Sequence, residues 1–88
     1  MRIRNFDWDE NNIEHIGRHQ VTPDEAEEAC KNRPVILRGR KGYYLLHGRT
    51  IAGRYLVVVV CYRGSGIVRI ATAREMTFNE KRLYERYR

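Results

Sequence analysis

The sequence predicts an α+β fold: two N-terminal helices, an antiparallel sheet of about four strands, and a C-terminal helix. Three observations predict it. Two capping signatures, Thr22-Pro23-Asp24-Glu25 and Thr77-Phe78-Asn79-Glu80, open helices on either side of a strand-rich middle. Between Val35 and Arg74 the apolar residues follow a two-residue period, broken by glycine-containing turns. The helical signals lie outside that block, so helices and strands are segregated rather than alternating. The chain has 88 residues and no repeat, linker or low-complexity stretch, so residues 1–88 are expected to form a single domain.

Taken in order, Ile3 to Trp8 reads as a short strand or extended lead-in, with Phe6 and Trp8 on one side. Asp7 followed by Glu10 resembles a capping box for a helix from Asp9 to about Arg18, in which Ile13 and Ile16 form the apolar side. The second helix has Thr22 at its N-cap, Pro23 at N1 and Glu25 at N3, with Val21 and Ala26 placed as a hydrophobic staple. It ends near Asn32, because Pro34 biases Arg33 away from the helical region. Val35–Leu37 is a short strand and Tyr43–Thr50 the next, followed by a turn at Ala52-Gly53. Arg54–Tyr62 is apolar on both faces and belongs in the centre of the sheet. Gly64-Ser65-Gly66 turns the chain into a last strand, Ile67–Arg74. The final helix runs to about Tyr87, with Leu83 and Tyr87 on one face and Lys81–Glu85 as a supporting ion pair.

Composition narrows the function. Hydrophobic residues make up 42% of the chain, enough for a folded globule. The longest apolar run, Tyr55–Tyr62, is strand-length and far short of a membrane span. The first residues lack the apolar segment of a secretory signal, so a cytoplasmic location is expected. Cys30 and Cys61 have no metal-ligand spacing and read as packed thiols. Net charge is +6, unevenly spread: residues 1–34 hold five Lys/Arg against eight Asp/Glu, and residues 35–88 hold twelve against three. The C-terminal half is therefore the part that attracts phosphate.

Arginine's rigid fork suits phosphate oxygens, and several arginines fall at strand ends. Tyr43, Leu45, His47 and Arg49 share one face of their strand. Arg63 closes the central strand, and Arg74 ends the last one beside Thr72 and Ile70. Arg49, Arg63 and Arg74 are candidates to hold a phosphodiester, and His47 is a candidate acid or base. Arg54 and Arg69 are candidate nucleic-acid contacts, with Tyr62 and Tyr84 as stacking platforms. Strand-end arginines also pair with helix carboxylates, an alternative that applies most to Arg54 and Arg69. His15 and His19, four apart on a helix, lack a third ligand or an HExxH pattern, and no metal or cofactor is expected. No Gly-rich phosphate loop, Ser-His-Asp set or carboxylate pair appears, which sets aside NTPases, triad hydrolases and glycosidases.

Several ordered segments resemble one family. Phe6-Asp7-Trp8-Asp9-Glu10-Asn11-Asn12 and His19-Gln20-Val21-Thr22-Pro23-Asp24-Glu25-Ala26 resemble its opening. Gly48-Arg49-Thr50 and Gly53-Arg54-Tyr55-Leu56-Val57-Val58-Val59 resemble its central hairpin. Arg69-Ile70-Ala71-Thr72-Ala73-Arg74-Glu75-Met76-Thr77, with Glu80 and Tyr84, resembles its ending. The family is BrnT, toxins of type II toxin–antitoxin systems. The resemblance implies a RelE-like fold and a metal-independent ribonuclease that shuts down translation. It also implies a BrnA-type ribbon-helix-helix antitoxin as partner, with operator DNA reached only through that complex. Carried over by position, it places Arg49, Arg63 and Arg74 in the cleft. Two departures stand out: Lys41-Gly42-Tyr43-Tyr44 replaces an acidic-basic pair, and Gln20 stands where Gly is usual, which bears on the backbone angle there. The sequence leaves open homodimerisation, a non-catalytic nucleic-acid-binding role, and a pure interaction role in which the basic face receives an acidic antitoxin tail.

Overall fold

The computed structural model describes all residues, 1–88. Its elements are β1 (Asn5–Asp7), α1 (Glu10–Gly17), α2 (Pro23–Lys31), β2 (Val35–Arg38), β3 (Tyr43–Arg49), β4 (Tyr55–Gly64), β5 (Ile67–Glu75) and α3 (Phe78–Tyr87). The strands form one sheet in the order β1-β5-β4-β3-β2, which puts the apolar strand β4 in the middle as its sequence requires.

The sheet departs from the expectation of about four antiparallel strands. It has five, and β1 runs parallel to β5, with Asn5, Phe6 and Asp7 opposite Ile67, Val68 and Arg69. The cause is a long-range contact. The amides of Arg4 and Asn5 both donate to the Gly66 carbonyl, at 2.7 and 3.1 Å, and Phe6 packs on the core beside Val68. The first helix also begins differently. Its N-cap is Asp9, not Asp7, and Asn12 rather than a Glu completes the capping box. Asn12 is also drawn inward: its buried amide donates to the carbonyls of Asp7 (2.9 Å) and Ile70 (3.2 Å), tying α1 to both β1 and β5. The boxes at Thr22/Glu25 and Thr77/Glu80 form as their spacing predicts.

One face of the sheet carries α1 and α2. Leu46, Leu56, Val58, Val60, Val68, Ile70 and Ala73 meet Ile16, Val21, Ala26, Ala29 and Cys30 in a continuous core. Each large side chain buried there contributes on the order of 2 kcal/mol. Helix α2 can lie directly on β3 because β3 carries Gly48 at the crossing, where a Cβ would stand 2.1 Å from the Ala29 carbonyl oxygen. Helix α3 covers part of the opposite face. A register shift between Val59 and Val60 sends Ile70 into the core while Thr72 and Arg74 stay on the α3 side, which corrects the placement of Ile70 beside Arg74. Gln20 keeps the left-handed conformation a glycine would adopt, at φ 61°, and its carbonyl accepts from Arg54 Nη1 at 2.7 Å.

Candidate nucleic-acid cleft

Strand register decides which charged side chains meet. On the α3 face, one row across the sheet is Val35, His47, Val57 and Arg74, and the next is Arg49 beside Tyr55. Helix α3 is held over these rows at both ends. Near its start, Arg74 clamps Glu80 through Nη1 at 2.7 Å and Nη2 at 2.8 Å, while Glu80 also completes the Thr77 capping box. The Arg74 guanidinium holds the Glu80 carboxyl down to about 2, and Glu80 in turn raises the Arg74 pKa. Further along, Tyr84 is buried and stacks edge-on against Tyr55, with ring centroids 5.8 Å apart.

Arg49 stands in a different environment. Its guanidinium lies over the Tyr55 ring, 4.6 Å from the centroid, and Lys81 Nζ lies at the same distance from that ring. No carboxylate is within ion-pairing distance of Arg49. The Tyr55 hydroxyl donates to Glu85 Oε2 at 2.5 Å, and Arg88 Nε donates to Glu85 Oε1 at 2.7 Å. These bonds, with the tyrosine first, hold the Glu85 carboxyl below its usual range, and the same contact raises the Tyr55 pKa. Lys81–Glu85, expected as an ion pair, is thus replaced: both side chains turn to Tyr55.

Between the α2–β2 connection, the β3–β4 turn and the end of α3 lies an open cleft of about 500 Å³. Arg33, Arg49 and Arg88 line it, and Glu85 is its one carboxylate. Its rim is pinned: Asn32 Nδ2 donates to the Arg49 carbonyl at 3.2 Å, and the Ile51 amide donates to Glu28 at 3.1 Å. Arg33 holds a left-handed backbone, φ 47°, at the rim. Three guanidiniums around one carboxylate form a site complementary to a phosphate chain.

Of the sequence candidates, Arg49, Arg74 and His47 come together. His47 is only 2% exposed and lies beneath α3, its Nδ1 without a protein partner. Arg63 does not converge with them, which corrects the expectation of a three-arginine cleft. It shares their sheet face, but β4 carries it six residues past the Arg74 row, roughly 20 Å away, beside Asn5, Asp7 and Ile67. Of the remaining four, three have their polar groups occupied. Arg54 bridges Glu25 (3.0 Å) and Glu75 (3.1 Å). Arg69 bridges Asp7 (3.5 Å) and Asp9 (2.9 Å). The Tyr62 hydroxyl accepts from the Gly66 amide at 2.8 Å. Tyr84, though its ring is buried against Tyr55, lines the cleft beside Arg49. Sequence reasoning missed Arg33, Glu85 and Arg88 as cleft residues and Tyr55 as the platform under Arg49. Only Tyr55 carried a signal, since the tight Gly48–Tyr55 hairpin sets it opposite Arg49.

Fold and cleft together define a small basic α+β protein with an arginine-lined cleft. A family model described as "Ribonuclease toxin, BrnT, of type II toxin-antitoxin system" matches residues 8–80, and the chain belongs to this family. That membership indicates a ribonuclease toxin with an RNA target and an antitoxin partner. No curated protein matches the chain. No helix is long and apolar enough to cross a membrane.

Proposed function

We propose that this chain is a metal-independent endoribonuclease that inhibits translation, acting at the Arg33–Arg49–Arg88 cleft. The ribose 2′-OH attacks the adjacent phosphorus, the P–O5′ bond breaks with the departing 5′-oxygen taking a proton from water, and a 2′,3′-cyclic phosphate remains. Arg49 neutralises the charge developing on the phosphate oxygens, and it is pre-placed for this by the Tyr55 ring. Glu85 accepts the 2′-OH proton, while Arg74 and His47 support the cleft from below. Arg63, Arg54, Arg69 and Tyr62 act outside the reaction centre. The wider reading is one RelE-like domain over residues 1–88, acting in the cytoplasm and neutralised by a BrnA-type ribbon-helix-helix antitoxin whose complex binds operator DNA. The observation that carries the reading is Arg49: a guanidinium held over the Tyr55 ring, facing a cleft, with no carboxylate in ion-pair contact with it.

A specific observation favours a second reading, a non-catalytic nucleic-acid-binding domain. His47 is buried, and Glu85 is already engaged by Tyr55 and Arg88. Purified protein incubated with RNA and EDTA separates the two. The nuclease reading expects cyclic-phosphate ends, formed on the order of 10²-fold more slowly by Arg49→Ala and at the wild-type rate by Arg18→Ala, whose guanidinium pairs with Glu14 on α1. Binding without cleavage supports the second reading. Dependence on pH tests the base. Because the Glu85 pKa is lowered, the acid limb of cleavage should lie below the ordinary carboxylate range. A loss of activity at higher pH would assign the base to another group.

A further inference from the structure

Helix α3 covers only the upper rows of its sheet face, and the next two rows have nothing over them. One is Leu37, Leu45, Val59 and Thr72, and the other is Tyr43, Cys61 and Arg69. Leu37 is 39% exposed and Tyr43 38%, while Leu45, Val59 and Cys61 are only half-buried. Arg69 is paired with both Asp7 and Asp9, which leaves one net negative charge at the β1 edge; Leu37, Leu45, Val59, Tyr43 and Cys61 make the rest of the two rows mainly apolar. Cations stand around them: Arg40 and Lys41 at the β2–β3 turn and Arg63 at the far end of β4. None of these three has a carboxylate within ion-pairing distance.

We propose that these two rows are the docking surface for an acid-rich amphipathic helix of the antitoxin, laid beside α3. The proposal rests on the toxin–antitoxin reading. Size and shape fit a helix: two rows span about 7 Å along the strands, and with side chains this matches a helix diameter of about 10 Å. The four strands β2 to β5 are crossed in about 14 Å, roughly three helical turns. Helix α3 already packs across the neighbouring rows in this way. Leu83, half-buried, lies on the flank of α3 opposite Lys81 and Glu85, and so faces the open rows. Charge selects the occupant. A second copy of a +6 chain would bring cations against cations. An RNA strand would find one aromatic platform, Tyr43, on a surface otherwise aliphatic. An apolar stripe flanked by Asp and Glu complements both the rows and their rim.

Cys61 reports on the surface directly, since it lies in the second row, whereas Cys30 is buried and its thiol is pushed up to about 12. The full chain is treated with N-ethylmaleimide and the modified cysteine read by mass spectrometry. The probes are two synthetic helices of about 18 residues, each with one leucine face, flanked by glutamates in one and by lysines in the other. The glutamate helix should shield Cys61 and the lysine helix should not. Leu37→Asp should weaken the shielding on the order of 30-fold, with Leu37→Met restoring it, and Lys41→Glu should reduce it in a salt-dependent manner. Unlabelled Cys30 and an unchanged circular dichroism spectrum certify that each variant is folded. The proposal is overturned if neither helix shields Cys61, or if both do equally. It is also overturned if an RNA oligonucleotide shields Cys61 better than the glutamate helix, or if shielding grows with protein concentration alone. RNA cleavage by the unmodified chain is scored separately, so its absence would sink the nuclease reading without touching this result.

Discussion

Arg74 and Arg49 occupy neighbouring rows of one sheet face, both under α3, and nothing in their local sequence separates them. Their surroundings do. Arg74 is locked on both nitrogens to Glu80 and fixes the start of α3. Arg49 has only a tyrosine ring beneath it and an open cleft before it. The difference teaches that an arginine's function is set by which anions the fold brings to it. Where a carboxylate arrives, the guanidinium becomes structure. Where none does, its charge is left for a ligand.

The sharpest way to break the comparison is to remove each guanidinium in turn. Arg49→Ala should lower RNA cleavage on the order of 10²-fold with little change in urea midpoint, the cost of one electrostatic contact to a transition state. Arg49→Lys should restore only part of this, since an ammonium lacks the planar fork that stacks on Tyr55. Arg74→Ala should reverse the balance, with a clear loss of stability. If Arg74→Ala cleaves as poorly as Arg49→Ala while remaining fully stable, the division of labour is wrong.

Next in size is the acid response of the Arg74–Glu80 clamp. The Glu80 pKa is depressed in the fold, from 4.5 to about 2. Its stabilisation is therefore fully present above the unfolded value and is lost as pH falls through the folded one. The contribution should be about 2 kcal/mol, less than the full shift implies because Arg74 is 40% exposed. Urea titrations should show the wild type losing stability between pH 5 and pH 2 more steeply than Glu80→Gln. Parallel curves would remove the clamp from the energetics.

Much of the fold was legible because its signals are local. Thr22 and Thr77 each have a glutamate three residues on, and a capping box needs nothing else. β4 declares its central place by being apolar on both faces. What escaped was set by distant partners. Nothing near Phe6 announces Val68 as its neighbour, and nothing near Asn12 announces its bond to the Ile70 carbonyl. The site was legible to the same degree. Alternation put His47 and Arg49 on one face, but it could not reveal that Arg54 and Arg69 would meet two carboxylates each. Nor could it show that β4 is long enough to separate Arg63 from the others.

A smaller effect tests the platform under Arg49. Tyr55→Leu removes the ring and the hydroxyl together, and should weaken RNA binding about fivefold, near 1 kcal/mol. Tyr55→Phe keeps the ring and frees Glu85 from its hydrogen bond, so binding should hold. The acid limb of cleavage should then move up toward the ordinary carboxylate range, since the bond being removed is the main cause of the depression. Equal binding by both variants would show that Arg49 needs no platform.

Arg63→Ala should have the smallest effect, less than about threefold on cleavage. It lies on the same face as Arg49 and carries the same charge, so a reading based on charge alone ranks the two equally. Distance ranks them apart. At roughly 20 Å from the Arg74 row, Arg63 lies more than about two Debye lengths from the reacting phosphate at physiological salt. What it can still do is attract the RNA or its rival for the basic surface, an effect that should fade as salt rises. The Arg49 defect should persist in high salt because that contact is direct. Measuring both variants across a salt series therefore separates long-range attraction from transition-state contact. A salt-independent Arg63 defect as large as that of Arg49 would require the two ends of this sheet face to work as one site.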